Sequence, residues 1–474
     1  KTECLAENED KVTGLTERIQ AIDGFVWQPF AMPLVLLLVG GALSVMTGGV
    51  QIRRFPLAVR MVLRSIRGKS SGDGTITQFQ ALSTALASTV GNGNIGGVAT
   101  AILIGGPGAI FWMWVCAAVG MATKYAEAVL GVHHRVRRET GELASGPMYY
   151  ITRGIPHALT GKTLAMMFAL FGACGALLGT GNMAQSNTIA RTFVEAARTV
   201  GGLEVPMWVP GLLITASVGL VLLGGIQRIA AVAERIVPAM LVLYLVSAIA
   251  YLLLNIDQVP DALTLILSHA FSPSAAVGGF AGASMAQAIA AGVSRGVLSN
   301  EAGLGTAPIA HGIAKVSHPV DQGLIGIFEV FTDTIVVCSL TAFVILTSGL
   351  WTDPAFQNAS GDLTAAALST TIPGASLIVA VCSFLFGFST LIGWCYYGEK
   401  CVEFLFGSGI ITVYRMAFTA LIMVGSMVSV PLVWALGTLL NGFMAFPNLV
   451  GMLFLARAVK RLTNQYFTAK AETA

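Results

Sequence analysis

The residues able to do chemistry in this chain are few, and nearly all of them stand inside apolar runs. One set lies in STVGNGNIGGVATAI, residues 88–102, which holds Gly91, Asn92, Gly93, Asn94 and Gly96. A second lies in GVSRGVLSNEAGLGTAPIAHG, residues 292–312, where Arg295, Asn300 and Glu301 precede Gly303, Gly305 and Pro308. Glu329 and Asp333 are four apart in a third run. Asn182, Gln185 and Asn187 crowd a fourth, and Ser389, Thr390 and Trp394 a fifth.

Residues 91–96 spell G-x-G-x-x-G, the dinucleotide fingerprint. That chemistry needs a strand before the glycines, a helix after them and an acid about 20 residues on. Here both flanks are apolar, and no Asp or Glu occurs between Asp73 and Glu127. The nucleotide reading is rejected. A broken helix explains the stretch better. A break exposes N–H groups at the start of one half-helix and carbonyls at the end of the other, which attract an anion and a cation respectively. Such irregular backbone is tolerated at membrane depth only where it lines a cavity or is buried in protein. Close helix packing by small residues accounts for Gly96 and Gly97. It does not account for two asparagines at mid-span, which carry a desolvation cost.

Composition places these residues in a membrane. The 474 residues are 55% hydrophobic and 11% charged, with a net charge of +3 and a mean hydropathy of +0.76. A soluble domain carries about 25% charged residues. Long apolar runs repeat along the chain, and each has the ~20 residues that a spanning helix requires. They are too continuous for the alternating strands of a barrel. A polytopic α-helical membrane protein follows, with the lipid bilayer as its setting. The charge balance gives no sign of nucleic-acid binding, and no obligatory protein partner is readable. The cysteines lie mostly in apolar runs and suggest no disulfide framework; the six histidines show no metal-ligand spacing.

Eleven apolar segments are expected, at about 28–50, 80–104, 108–130, 164–190, 207–225, 234–254, 276–314, 322–350, 374–397, 409–430 and 433–456. One set of loops would then carry Arg53, Arg54, Arg60, Arg64, Arg67, Lys69, Lys124, Arg135, Arg137, Arg138, Arg153, Lys162, Arg228, Arg235, Lys315, Lys400 and Arg415, with the basic residues after 456. The other side has only Lys1, Lys11, Arg18, Arg191 and Arg198. Cytoplasmic loops are rich in Lys and Arg, so the N-terminus is expected outside and the C-terminus inside. The polar residues before the first run leave open a removed signal peptide or a trimmed chain.

The two interrupted segments are the second and the seventh, five spans apart. An odd offset reverses orientation, so they would head two inverted repeats of five helices. Paired interrupted spans in corresponding positions are the best sequence pointer to a transport site. The expected organisation is an extracytoplasmic segment (1–27), one extra helix (28–50), a first repeat (80–254), an inverted second repeat (276–456) and a cytoplasmic tail (457–474).

Several stretches together resemble the alanine or glycine:cation symporters of the amino acid–polyamine–organocation superfamily. They are TALASTVGNGNIGGVATAI, GGPGAIFWMWV, GMATKYAEAVL, GPMYYI, SNEAGLGTAPIAH, FTDTIVVCSLTAFVILTSG and FSTLIGWCYYGEKCVE. They are spread over most of residues 80–404. The resemblance implies an all-α fold of about eleven transmembrane helices, with a five-plus-five inverted-repeat (LeuT-like) core and one extra N-terminal helix. It implies import of a small neutral amino acid with sodium, or alternatively with a proton or for another neutral amino acid such as glutamine, across a bacterial plasma membrane.

The resemblance also implies roles for residues. The substrate carboxylate is expected at the unwound backbone of Gly91, Asn92 and Gly93, with Asn94 holding an ion or the substrate. Gln185 and, on the second break, Asn300 join the substrate contacts. Ala87 and Val90 would give carbonyls to one sodium site, and the Ser389 hydroxyl is expected to complete a sodium site. Thr89 and Asn94 would serve another. Thr390 could serve either ligand. Trp394 shares a face with Thr390, four residues on, and is the expected wall against larger side chains, with Met285 or Ile289 as alternatives. Asp333 could bind sodium, carry a proton or pair with Arg295; Glu301 is a second candidate partner for Arg295. An intramembrane enzyme would need a nucleophile and base, and neither G-x-S-x-G nor H-E-x-x-H occurs. A non-transporting sensor would need an output domain, of which this sequence shows none.

Overall fold

A computed structural model describes residues 14, 16–68, 72–138, 141–271, 284–357, 361–428 and 430–472. The fold is helical almost throughout. Seven helical stretches among the described residues are long and apolar enough to cross a membrane: Gly108–His133, Ala158–Thr199, Gly225–Leu254, Pro319–Ser348, Ala375–Phe406, Ser408–Met427 and Leu432–Lys470. Met32–Met46, Gly93–Gly105 and Trp208–Leu222 are apolar but shorter. Leucines on their outer faces, such as Leu38, Leu220 and Leu253, are exposed, as a lipid-facing surface requires.

Both broken spans begin in the same way. The first starts with Gln78–Thr89, where the Thr77 hydroxyl accepts the Gln80 N–H and the Gln80 side chain accepts the Thr77 N–H. The second starts with Met285–Asn300, where Ser284 and Gln287 make the same reciprocal pair. Each is a capping box that satisfies two orphan donors. The first helix stops at Thr89 because Val90 turns to extended backbone, and the chain resumes as a π-helical turn, Gly93–Gly97, leading into Val98–Gly105. The second stops where Glu301 adopts φ 55°; Gly303 at φ 95° and Gly305 at φ 84° carry the chain on to Ala307–His311. Those two φ values need glycine, which has no Cβ to clash.

Helix Gly108–His133 sits at the centre, packed against Pro319–Val330, Met285–Asn300 and Met32–Met46. This corrects the place of Lys124. It is not a loop residue but lies inside that helix, fully buried. Lys400 likewise lies within Ala375–Phe406, against Glu399 and Glu403. The segment expected at 164–190 is two helices, Ala158–Leu178 and Met183–Gly201, split at Gly179. The span holding Asp333 is α-helical over Pro319–Val330, π-helical over Phe331–Cys338 and α-helical again over Ser339–Ser348. The last helix, Val430–Glu472, runs on without a boundary at 457. Lys1, Lys11 and residues 276–283 lie outside the described residues.

Candidate functional site

The first break meets the Pro319–Ser348 span through one side chain. Asn94, in the first π-helical turn, donates from Nδ2 to Asp333 Oδ1 at 2.7 Å, and its Oδ1 accepts the Gly91 amide at 2.9 Å. The Asn92 amide donates to Gln185 Oε1 at 3.3 Å. In an unbroken helix these two amides would bond the Ala87 and Ser88 carbonyls. Those carbonyls lose their in-helix donors, which is the arrangement a cation site needs.

Asp333 is fully buried and holds three neutral donors: Asn94, Ser299 at 2.9 Å and Thr334 at 2.8 Å. It makes no ion pair with Arg295. Glu301 does not pair with Arg295 either; its Oε1 accepts Trp394 Nε1 at 2.7 Å and its Oε2 accepts Thr306 Oγ1 at 2.6 Å. Arg295 instead lies over the Trp434 ring, 5.8 Å from its centroid. Glu329 and Asp333 are four apart, but the π-helical stretch begins between them at Phe331, and Asp333 meets Asn94. Glu329 stays with Lys124 at 3.0 Å and His311 at 2.7 Å, all fully buried.

A narrow cavity of about 20 Å³ opens between the breaks. It is lined by Ser88, Thr89, Gly91, Gly93 and Gly97 from the first, and by Arg295, Leu298 and Glu301 from the second. Thr180, Gln185, Thr390, Trp394 and Trp434 close it. Such a space holds about one water, so the walls must part to admit anything larger. A bigger hollow of about 560 Å³, lined by Glu195 and Asp362, touches none of the broken-span residues. Of the two, only the small cavity is lined by residues of both broken spans.

Gly91, Gly93, Thr89, Gln185, Thr390 and Trp394 are thus brought together at one cavity. Thr390 presses on the first break: a Cβ at Gly91 would lie 2.5 Å from its Oγ1. Trp394 packs flat on Gly181, where a Cβ would come within 2.6 Å of the indole. Other expected residues are placed elsewhere. Asn92 turns its side chain to Ser383 Oγ, 2.7 Å away. Asn300 does not line the cavity; it takes the Ala302 amide at 2.9 Å and donates to Thr334 at 3.1 Å. Ser389 donates to the Phe386 carbonyl at 2.9 Å. Ala87 and Val90 are buried behind the wall. Met285 is exposed and lines nothing here. Gly97 is not a packing glycine, since a Cβ there would meet nothing within 4 Å. Asn182 and Asn187 hold carbonyls of the Ile411–Met427 helix and its end, namely Phe418, Gly425 and Val428.

Residues 12–474 match the sodium:alanine symporter family. The chain belongs to that family. The sodium/alanine symporter AgcS of Methanococcus maripaludis is 43% identical over 449 residues, covering 94% of this chain and 96% of that one. An uncharacterized transporter of Haemophilus influenzae is 43% identical over 451 residues, covering 95% of each. The solved structure of Mhp1, a nucleobase-cation-symport-1 family transporter, is similar with TM-score 0.45 and 14% identity, over 79% of this chain and 76% of that one. This sodium:alanine symporter family member is therefore an integral membrane transporter rather than an enzyme.

Sequence reasoning missed several features of this transporter. Ser299 and Thr334 reach Asp333, but hydroxyls beside an apolar run carry no signal of their own. Glu301 reaches the cavity instead of an arginine. The buried Lys124–Glu329–His311 chain was hidden because Lys124 falls near the end of an apolar run, where a loop lysine is the usual reading.

Proposed function

We propose that the protein imports alanine or glycine together with sodium by alternating access, from a core of five-plus-five inverted repeats preceded by one extra helix. The observation that carries this reading is the cavity bounded by both helix breaks. The substrate carboxylate is held by the unwound backbone at Gly91–Asn92–Gly93, with Gln185 and Thr390 beside it. Trp394 limits the space for the side chain. One sodium ion uses the Ala87 and Val90 carbonyls with Ser389; a second uses Thr89, Asn94 and Asp333. The matching capping boxes at the two broken spans support the repeat. The basic residues that remain in loops support an N-terminus outside and a C-terminus inside.

In this reading, Asn94 links ion and substrate. Asn94 touches Asp333 at one end and the Gly91 amide at the other, so filling the ion site orders the backbone that receives the carboxylate. A transporter gains coupling when each ligand favours the state the other also favours. The test is uptake of labelled alanine and glycine into proteoliposomes under imposed sodium or proton gradients. Sodium-driven accumulation is expected. Accumulation driven by a proton gradient without sodium moves the coupling to the proton. Accumulation of neither amino acid under any gradient sinks the reading.

A further inference from the structure

Glu301 is the one non-glycine among the described residues with a left-handed backbone, φ 55°. That conformation costs an L-residue about 1–2 kcal/mol, and Asn or Gly would fit it better. Strain of this kind is kept where the side chain is needed in one place. The place is the cavity wall: Glu301 is 2% exposed overall and its carboxylate borders the space beside Gly91, Thr390 and Trp394.

The carboxylate has hydrogen bonds but no cation in direct contact among the described residues. Trp394 Nε1 can only donate, and it meets Oε1; Thr306 Oγ1 meets Oε2. Each oxygen keeps a free lone pair. The nearby lysine, Lys124, is committed to Glu329 at 3.0 Å. A buried carboxylate bonded only to neutral donors is stabilised by a cation, and the cavity that Glu301 lines is where one can approach it.

We infer that Glu301 receives the ammonium group of the transported amino acid and so is a specificity-determining residue of the site. This rests on the amino-acid symport reading above. The same carboxylate holds Trp394 by its indole N–H, so recognition of the ammonium and the position of the size-limiting wall depend on one group. The ligand class is a primary α-ammonium with a small substituent. A carboxylic acid that lacks the nitrogen is rejected because it would leave the charge uncompensated.

The experiment is alanine binding to the purified transporter at saturating sodium, with propionate as the competitor that lacks only the ammonium. Propionate should fail to displace alanine from the wild type, and Glu301→Gln should bind alanine at least ~30-fold more weakly, with its melting temperature and its sodium dependence retained. Equal alanine binding by Glu301→Gln overturns the inference, as does displacement by propionate. So does a loss that disappears at higher sodium, which would give Glu301 to the ion. If Glu301→Gln does not fold, Glu301→Asp decides. Its carboxylate is withdrawn by one methylene, so preference should shift from alanine towards β-alanine, whose ammonium reaches further; an unchanged ratio overturns the inference. A wild type that binds no small amino acid at all is a different failure, and it removes the symport reading itself.

Discussion

Asn94 Nδ2 and Asp333 Oδ1 are 2.7 Å apart, and each belongs to a π-helical stretch that interrupts a span. A π-turn inserted in an α-helix marks functional sites often, and here two of them meet. Asn94→Leu removes the bridge and replaces an amide by a side chain that cannot hold an ion. Transport is expected to vanish. Asp333 keeps Ser299 and Thr334 as donors, so the stability loss should stay within about 1–3 kcal/mol. Uptake and thermal unfolding, measured on the same preparation, check this. Wild-type uptake would mean that the break serves packing alone.

The two breaks were legible in the sequence because glycine and asparagine in an apolar run violate a strong rule. Thr390 and Trp394 were legible for a related reason: their spacing of four fixes a shared face. The fate of the charged groups was not. Arg295, Glu301 and Asp333 look like natural partners in a one-dimensional reading, yet the left-handed turn at Glu301 and the π-helical stretch at Asp333 point both carboxylates elsewhere. Neither backbone feature has a residue signature. Lys124 was misplaced because a helix end and a loop differ by only a few residues, while burial depends on what packs against them.

Trp394 sits on Gly181 and lines the cavity. Burying each extra methylene is worth about 0.8 kcal/mol, so a roomy apolar pocket would favour leucine over alanine. Trp394→Ala should weaken alanine uptake and let valine, leucine or methionine compete. Trp394→Phe keeps most of the wall and loses the hydrogen bond to Glu301, so it should keep the size limit better than Trp394→Ala. Inhibition of alanine binding by the three larger amino acids decides it. If Trp394→Ala excludes all three as strictly as wild type, the wall lies elsewhere.

Lys124 and Glu329 form a fully buried pair at 3.0 Å, extended by His311 and Gln322. Breaking a buried pair by removing one member strands the other charge and costs about 3–5 kcal/mol. Lys124→Met is therefore expected to lower the melting temperature markedly. Lys124→Met with Glu329→Gln, which removes both charges, should recover much of it. Thermal unfolding of the wild type, both single variants and the double variant in one detergent is the check. A double variant as unstable as the sum of the single ones would show that the two groups do not interact.

Gly97 offers a finer test of which way the substrate side chain points. It lines the cavity, its backbone is helical at φ −67°, and a Cβ added there would meet nothing within 4 Å. Gly97→Ala therefore adds one methyl to open space without backbone strain and without a clash in the empty protein. Gly91→Ala differs, because its Cβ would strike Thr390 Oγ1 at 2.5 Å. If the substrate methyl occupies the space beside Gly97, the added methyl competes with it. Overpacking by one methylene costs about 1–3 kcal/mol, so Gly97→Ala should weaken alanine by ~10-fold or more and leave glycine nearly unchanged. The measurement is the ratio of alanine to glycine binding at saturating sodium, with thermal unfolding as the control. A ratio equal to that of wild type would put the substrate side chain on the opposite wall, towards Trp394 alone.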